Sequence, residues 1–144
     1  MIILQAISVN GDMRSSVYSL MEARSGVKSN CSLWTSLFAD NGVVNSPVGD
    51  TPIVGTEAIR RHCDQWNQLL GPQGNGWYPH DLWSGNNMVA FTATIRAVNE
   101  GGCTVNLQGI ITLEFNDQLK VTEWNHYYDA DFVGPQLHGK CQTQ

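Results

Sequence analysis

Between Trp77 and Asp129, four stretches rich in β-branched and aromatic residues are separated by only three short turn-forming runs. The stretches are Trp77–Trp83, Met88–Val98, Thr104–Phe115 and Leu119–Asp129, and the runs are Ser84-Gly85-Asn86-Asn87, Asn99-Glu100-Gly101-Gly102 and Asn116-Asp117-Gln118. Such runs are hairpin connections, so the second half of the chain reads as an antiparallel meander. The first half has a different periodicity. From Asp12 to Arg24, Met13, Val17, Leu20 and Met21 recur at helical spacing, and Arg-Ser-Gly closes that helix. Ser29 and Asn30 can cap a second helix reaching Phe38, with Leu33, Leu37 and Phe38 as its apolar stripe. Val43 to Ser46 reads as a strand ended by Pro47-Val48-Gly49-Asp50. Thr56 then caps a third helix that carries Ile59, His62, Cys63, Trp66, Leu69 and Leu70 on one face before Gly71-Pro72.

Three helices followed by strands form an α+β pattern. Helices laid across one face of a curved antiparallel sheet leave a concave apolar space between the two layers. At 144 residues the chain is expected to form a single domain over 1–144, with a polar, loosely held tail over 134–144. Apolar residues make up 42% and charged residues 15%, with no repeat or low-complexity run, which places the chain among globular proteins. The net charge of −5, with Lys and Arg scattered singly, supplies no basic stripe for nucleic acid or an anionic membrane. Met1 to Ala6 is too short for a signal-peptide core, and no segment is long enough to span a bilayer, so a soluble, cytoplasmic protein is expected. Cys31, Cys63, Cys103 and Cys141 show no zinc spacing and are expected to be free thiols.

The stretch Leu37-Phe38-Ala39-Asp40-Asn41-Gly42-Val43-Val44-Asn45-Ser46-Pro47-Val48-Gly49, closing with Gly55-Thr56-Glu57-Ala58-Ile59-Arg60, resembles the ketosteroid-isomerase branch of the NTF2-like (SnoaL-like) superfamily. A thinner resemblance continues from Val89 to Tyr128. It implies a cone of three N-terminal helices on a curved antiparallel sheet around an apolar pocket, and a homodimer paired through the sheet's outer face. The isomerase works with an aspartate base beside an oxyanion hole of tyrosine and protonated aspartic acid. Laid against it, this chain has Ser46 at the base, Ile111 at the acidic donor and Glu22 near the tyrosine, so none of the three catalytic types is retained. Asn45-Ser46-Pro47 and Trp124-x-x-Tyr127-Tyr128-Asp129 are also similar to limonene-epoxide hydrolase, whose catalytic triplet would fall on Phe91, Ala93 and His126. That water-activating set is absent too.

Period-two alternation puts Trp124, His126 and Tyr128 on one face of the last strand, which in both relatives lines the cavity. His126 is the first candidate for moving a proton, since an ordinary imidazole titrates at about 6.5. A structural hydrogen bond across the sheet is the alternative role. His62 is a second candidate acid or base, with packing or partial exposure as its alternative, and Glu22 a third, with a solvated helix face as its alternative, since a carboxyl turned inward would need a raised pKa or a partner. Tyr18, Asn45, Cys63, Trp66, Trp124 and Tyr128 complete the expected substrate-binding set. His80 and Arg96 are left on strand faces of undetermined side, and Asp40 is read as a turn-former. The four histidines, His62, His80, His126 and His138, lack metal-ligand spacing, and no glycine-rich phosphate cradle is present, so no cofactor is expected. The leading functional expectation is a cofactor-independent isomerase or cyclase acting on a hydrophobic polycyclic natural product in secondary metabolism. An epoxide hydrolase or dehydratase, and a noncatalytic ligand- or protein-binding module, are the alternatives.

Overall fold

A computed structural model describes the backbone of residues 2–138 and the side chains from Asp12 to His138. Helix α1 (Ile2–Arg24) buries Met13, Val17, Leu20, Met21 and Arg24, a stripe at the three- and four-residue spacing of one helical face. Helix α2 (Cys31–Ser36) is capped by Asn30, whose side chain accepts from the Leu33 N–H at 3.1 Å. Helix α3 (Thr56–Leu69) begins differently from the expectation. Its N-cap is Gly55 at φ 89°, with no side-chain cap, and Thr56 is already inside the helix.

Strands β1 (Phe38–Asn45), β2 (Ile53–Val54), β3 (Leu70–Gly85), β4 (Met88–Asn99), β5 (Thr104–Phe115) and β6 (Val121–Tyr127) form one sheet in the order β2-β1-β6-β5-β4-β3. The meander over β3 to β6 is antiparallel as expected, but β1 runs parallel to β6, so the sheet is mixed. The chain enters β1 before α3 and the whole meander, and it reaches the meander's last strand from the same end. A fourth helix, α4 (Ala130–Leu137), replaces the first part of the expected polar tail. Asp129 caps it by accepting from the Asp131 and Phe132 N–H groups, Val133 is buried, and Asn99 Nδ2 donates to the Gln136 carbonyl at 2.7 Å. The remainder of the tail, with Cys141, lies outside the described residues.

The core lies between the helices and the concave face of the sheet. Phe91, Ala93 and Ile95 of β4 alternate with outward residues, as do Leu107, Ile111 and Leu113 of β5 and Trp124 and His126 of β6. A bulge between Pro79 and Leu82 changes the alternation in β3. Tyr78 and His80 consequently face outward while Leu82 packs on the core. The expectation of free thiols is overturned: Cys31 and Cys63 form a disulfide that ties the start of α2 to the middle of α3, with Cα atoms 5.6 Å apart. Cys103 is disulfide-bonded as well. Cys31 and Cys63 are 32 residues apart and meet only through the packing of α2 on α3, which no local spacing could announce. Among the described residues no helix is long and apolar enough to cross a membrane.

Candidate active site

Arg24 occupies the last turn of α1, four residues beyond Leu20 and seven beyond Val17, and so continues the buried stripe. The turn that follows is clamped to β3. Gly26 and Asn75 exchange two backbone hydrogen bonds of 2.8 Å, and the Trp77 N–H donates to Ser25 Oγ at 2.9 Å. Gly74, at φ 73°, makes this approach possible, because a Cβ there would overlap the Gly26 carbonyl. The guanidinium is only 2% exposed and lies over the rings of Trp34 and Trp77, each centroid 4.5 Å away, with Trp66 at 6.0 Å. The cage is fixed by Asn75, whose Oδ1 accepts from both Trp66 Nε1 and Trp77 Nε1 at 2.8 Å.

No carboxylate among the described residues answers this charge. Among the described residues the one ion pair is Arg60–Asp64 on the surface, and Arg24 Nε has no hydrogen-bond partner. Burial pushes the guanidinium down to about 9, which still leaves it charged at neutral pH. Each close ring face returns on the order of 1–2 kcal/mol, and the C-terminal end of α1 returns up to about 1 kcal/mol. Removing the charge from water costs several kcal/mol, so the offset is partial.

Beside Arg24 opens a cavity of about 390 Å³, within the range that holds a small-molecule ligand. Its floor is Ile95, Leu107 and Trp77, and its roof is the α3 face carrying His62, Trp66 and Leu69. His126, Tyr128 and Ser46 close one side, and Leu137 and His138 of the α4 end form part of the rim. No carboxylate is among its described lining residues. A larger open trough of about 720 Å³ lies between α2, α3 and β1, lined by Asp40, Glu57, Arg60 and Lys120 among others. Its lining is charged and open to solvent, whereas the smaller cavity is mostly apolar with buried ionisable groups in its wall, which makes the latter the candidate site.

His126 is buried. Its ring meets Tyr128 edge-on at 4.6 Å and approaches Trp77 at 6.1 Å, and its Nε2 has no hydrogen-bond partner among the described residues. Room for this ring comes from Gly109 on β5, where a Cβ would stand 3.2 Å from Nε2. Burial first, then the charge of Arg24, then His62, push His126 down to about 3. Burial and Arg24 push His62 down to about 4. Both imidazoles are therefore neutral at pH 7 and stay so well below the ordinary midpoint of about 6.5. Burial raises Tyr128, which stays a phenol and a hydrogen-bond donor.

Of the expected residues, His62, His126, Trp66 and Tyr128 come together in the cavity. The others do not. Glu22 is exposed and Tyr18 is 50% exposed, because each is rotated on α1 away from the stripe that ends at Arg24. Asn45 turns outward and donates to Asn125 Oδ1 at 2.8 Å, leaving the cavity to its neighbour Ser46. Cys63 is consumed by the disulfide. Trp124 is core, packed against Trp34, Phe38 and Trp77. His80, hydrogen-bonded to Thr94 Oγ1 at 2.7 Å, and Arg96 are both exposed, and Asp40, expected in a turn, is an exposed residue within β1. Arg24 and Trp77 went unrecognised in the sequence. The signal for Arg24 was present, since it sits where the apolar heptad of α1 calls for another buried residue.

The SnoaL-like domain family matches residues 27–124. No curated protein sequence matches the chain. Among solved structures, SalBIII, an epoxide hydrolase/cyclase-like enzyme of pyran ring formation in the polyether salinomycin, aligns with TM-score 0.72 at 13% identity, covering 85% of this chain and 94% of that one. An LEH-like epoxide hydrolase of Mycobacterium tuberculosis aligns with TM-score 0.71 at 16% identity, covering 88% and 90%. A second Mycobacterium tuberculosis protein, in complex with estradiol-17beta-hemisuccinate, aligns with TM-score 0.67 at 20% identity, covering 81% and 92%. These likenesses are of fold, and the family match spans more than half of the sequence: the chain belongs to the SnoaL-like domain family.

Proposed function

We propose that the protein is an enzyme that isomerises or cyclises a hydrophobic polycyclic natural product by proton transfer, with no cofactor. One observation carries this reading: an apolar cavity of ligand size holds two buried imidazoles, a third histidine at its rim, a phenol and a guanidinium with no ion-pair partner among the described residues. The relatives of similar fold named above include an enzyme of ring formation and a protein in complex with a steroid ester, which supports a bulky apolar substrate. His126 moves the proton, His62 is its partner, and Trp66 and Trp77 shape the wall that fixes the reactive conformer. The charge of Arg24 is one cause of the low imidazole basicity, so an oxygen that becomes negative beside Arg24 relieves that depression. The base strengthens as the enolate develops, and Tyr128 donates a hydrogen bond to it. Glu22 has no part in this scheme.

Epoxide hydrolysis by paired carboxylates is disfavoured by the composition of the wall. Phe91 and Ala93, at two positions of the hydrolase set, are core residues. Dehydration in the same pocket stays compatible with the same acid and base. The reading is tested by deuterium incorporation at the α-carbon of polycyclic ketones in D2O, followed by NMR. Exchange that depends on the protein and is lost in His126→Gln supports it. Ligand binding with no exchange above buffer supports a noncatalytic holder instead.

Tyr78, Ile110 and Tyr127 stand half-exposed on the outer face of the sheet, and we propose a homodimer through that face. Sedimentation checks it. A disulfide persists in an oxidising compartment and is reduced in an ordinary cytosol, so cytoplasmic residence is not part of the proposal.

A further inference from the structure

The cavity is electrically opposite to the molecule that contains it. The chain carries a net charge of −5, yet among the described residues the cavity wall holds one guanidinium and three histidines and no acidic side chain. Arg24 is 2% exposed, has no ion-pair partner among the described residues, and has a nitrogen without any hydrogen-bond partner. His126, equally buried, has a second orphaned nitrogen in the same wall. Trp34 Nε1 and Thr35 Oγ1 are also without partners among the described residues, but of the four atoms only those of Arg24 and His126 belong to residues lining the cavity, where a ligand could answer them. The three tryptophans bind only the faces of the guanidinium. They offer nothing to its N–H edge, which is the part suited to a planar anion.

We infer that the natural ligand is an apolar monoanion, a ring system bearing one carboxylate or one enolised β-dicarbonyl, whose anionic oxygen is held by Arg24 while the rings fill the space against Trp66, Ile95 and Leu107. This deepens the enzymatic reading of the cavity and rests on it. One fixed positive charge matches one negative charge. A dianion would leave a surplus charge against an apolar wall, and a neutral ligand would leave Arg24 as costly as in the empty site. Small inorganic anions satisfy the guanidinium but not the walls. The substrate therefore needs both parts in one molecule.

The test is calorimetric titration of the whole protein with naphthoate, its neutral amide naphthamide, and acetate. Naphthoate should bind roughly tenfold to a hundredfold more tightly than naphthamide, the usual worth of a charge-assisted hydrogen bond, and far more tightly than acetate. In Arg24→Met the preference for the acid should vanish while naphthamide binding persists. Arg24→Lys, which keeps the charge without the fork, should retain part of the preference. Dimedone, an enolised β-diketone, against its neutral methyl enol ether separates the two anion chemistries. A preference confined to one pair names the group. Equal binding of naphthoate and naphthamide overturns the inference and leaves the cavity reading intact, and so does an acid preference that survives in Arg24→Met. Acetate binding as tightly as naphthoate overturns the apolar half of the inference. If no aromatic probe binds, the inference and the cavity reading fall together.

Discussion

Acid should destabilise this fold above the range where carboxylates titrate, and His126 should account for about half of the effect or more. In the folded protein burial and the charge of Arg24 hold its imidazole down to about 3, whereas in the unfolded chain it titrates at about 6.5. As pH falls below about 6.5 the unfolded chain binds a proton that the folded chain refuses. Each step down therefore favours unfolding, until the folded value is reached. Between pH 7 and pH 5 linkage gives a loss of about 2 kcal/mol, and this figure barely changes for any folded value under about 4. His62, half-buried and held at about 4, adds up to the same amount. Urea denaturation at the two pH values reads the effect. Wild type should lose about 3–4 kcal/mol, and His126→Gln about 2 kcal/mol less than wild type. Equal losses in wild type and His126→Gln would refute the reasoning, because the buried imidazole would then be accepting its proton in the folded state.

Other perturbations have comparable readouts. Cys31→Ala/Cys63→Ala opens a crosslink spanning 32 residues, for which chain entropy gives a loss of about 3–4 kcal/mol, measured by urea denaturation alongside a thiol assay of the unreduced protein. Asn75→Leu strands the N–H groups of Trp66 and Trp77, at about 1–3 kcal/mol each, and should shift the tryptophan fluorescence as the cage around Arg24 loosens. Gly109→Ala forces a Cβ onto the Tyr127 carbonyl and against His126, so stability should fall by about 1–3 kcal/mol and the His126 ring signals should move. Arg24→Met should raise stability in denaturant melts, because an apolar chain of similar length replaces an unpaired buried charge.

The meander was legible because its turns are local chemistry. Asn and Gly runs bound β4 and β5 to within a residue, and the alternation along β6 put Trp124, His126 and Tyr128 on one side. The stripe of α3 was legible for the same reason, and it delivered His62 and Trp66 to the cavity. Glu22 failed because one residue along a helix is a rotation of about 100°, and it lies between buried Met21 and Ala23 while facing water. Arg24 was hidden by its type, since a charged residue before Ser-Gly reads as a helix stop. Its burial depends on three tryptophans that come from α2, α3 and β3. The disulfide and the parallel pairing of β1 with β6 are long-range facts of the same kind. Helix α4 was missed because Gly134 and Pro135 argue against a helix, and the Asp129 cap with the docking of Val133 outweighs them.

The account depends on imidazoles kept neutral by burial and by an unanswered guanidinium. Ring-nitrogen NMR of isotope-labelled histidine, titrated from neutral pH to about pH 5, measures this directly. It predicts that His126 and His62 stay uncharged throughout in the free protein and that their midpoints rise when naphthoate is added. Midpoints near the ordinary value of about 6.5 in the free protein, unmoved by the acid, would contradict it.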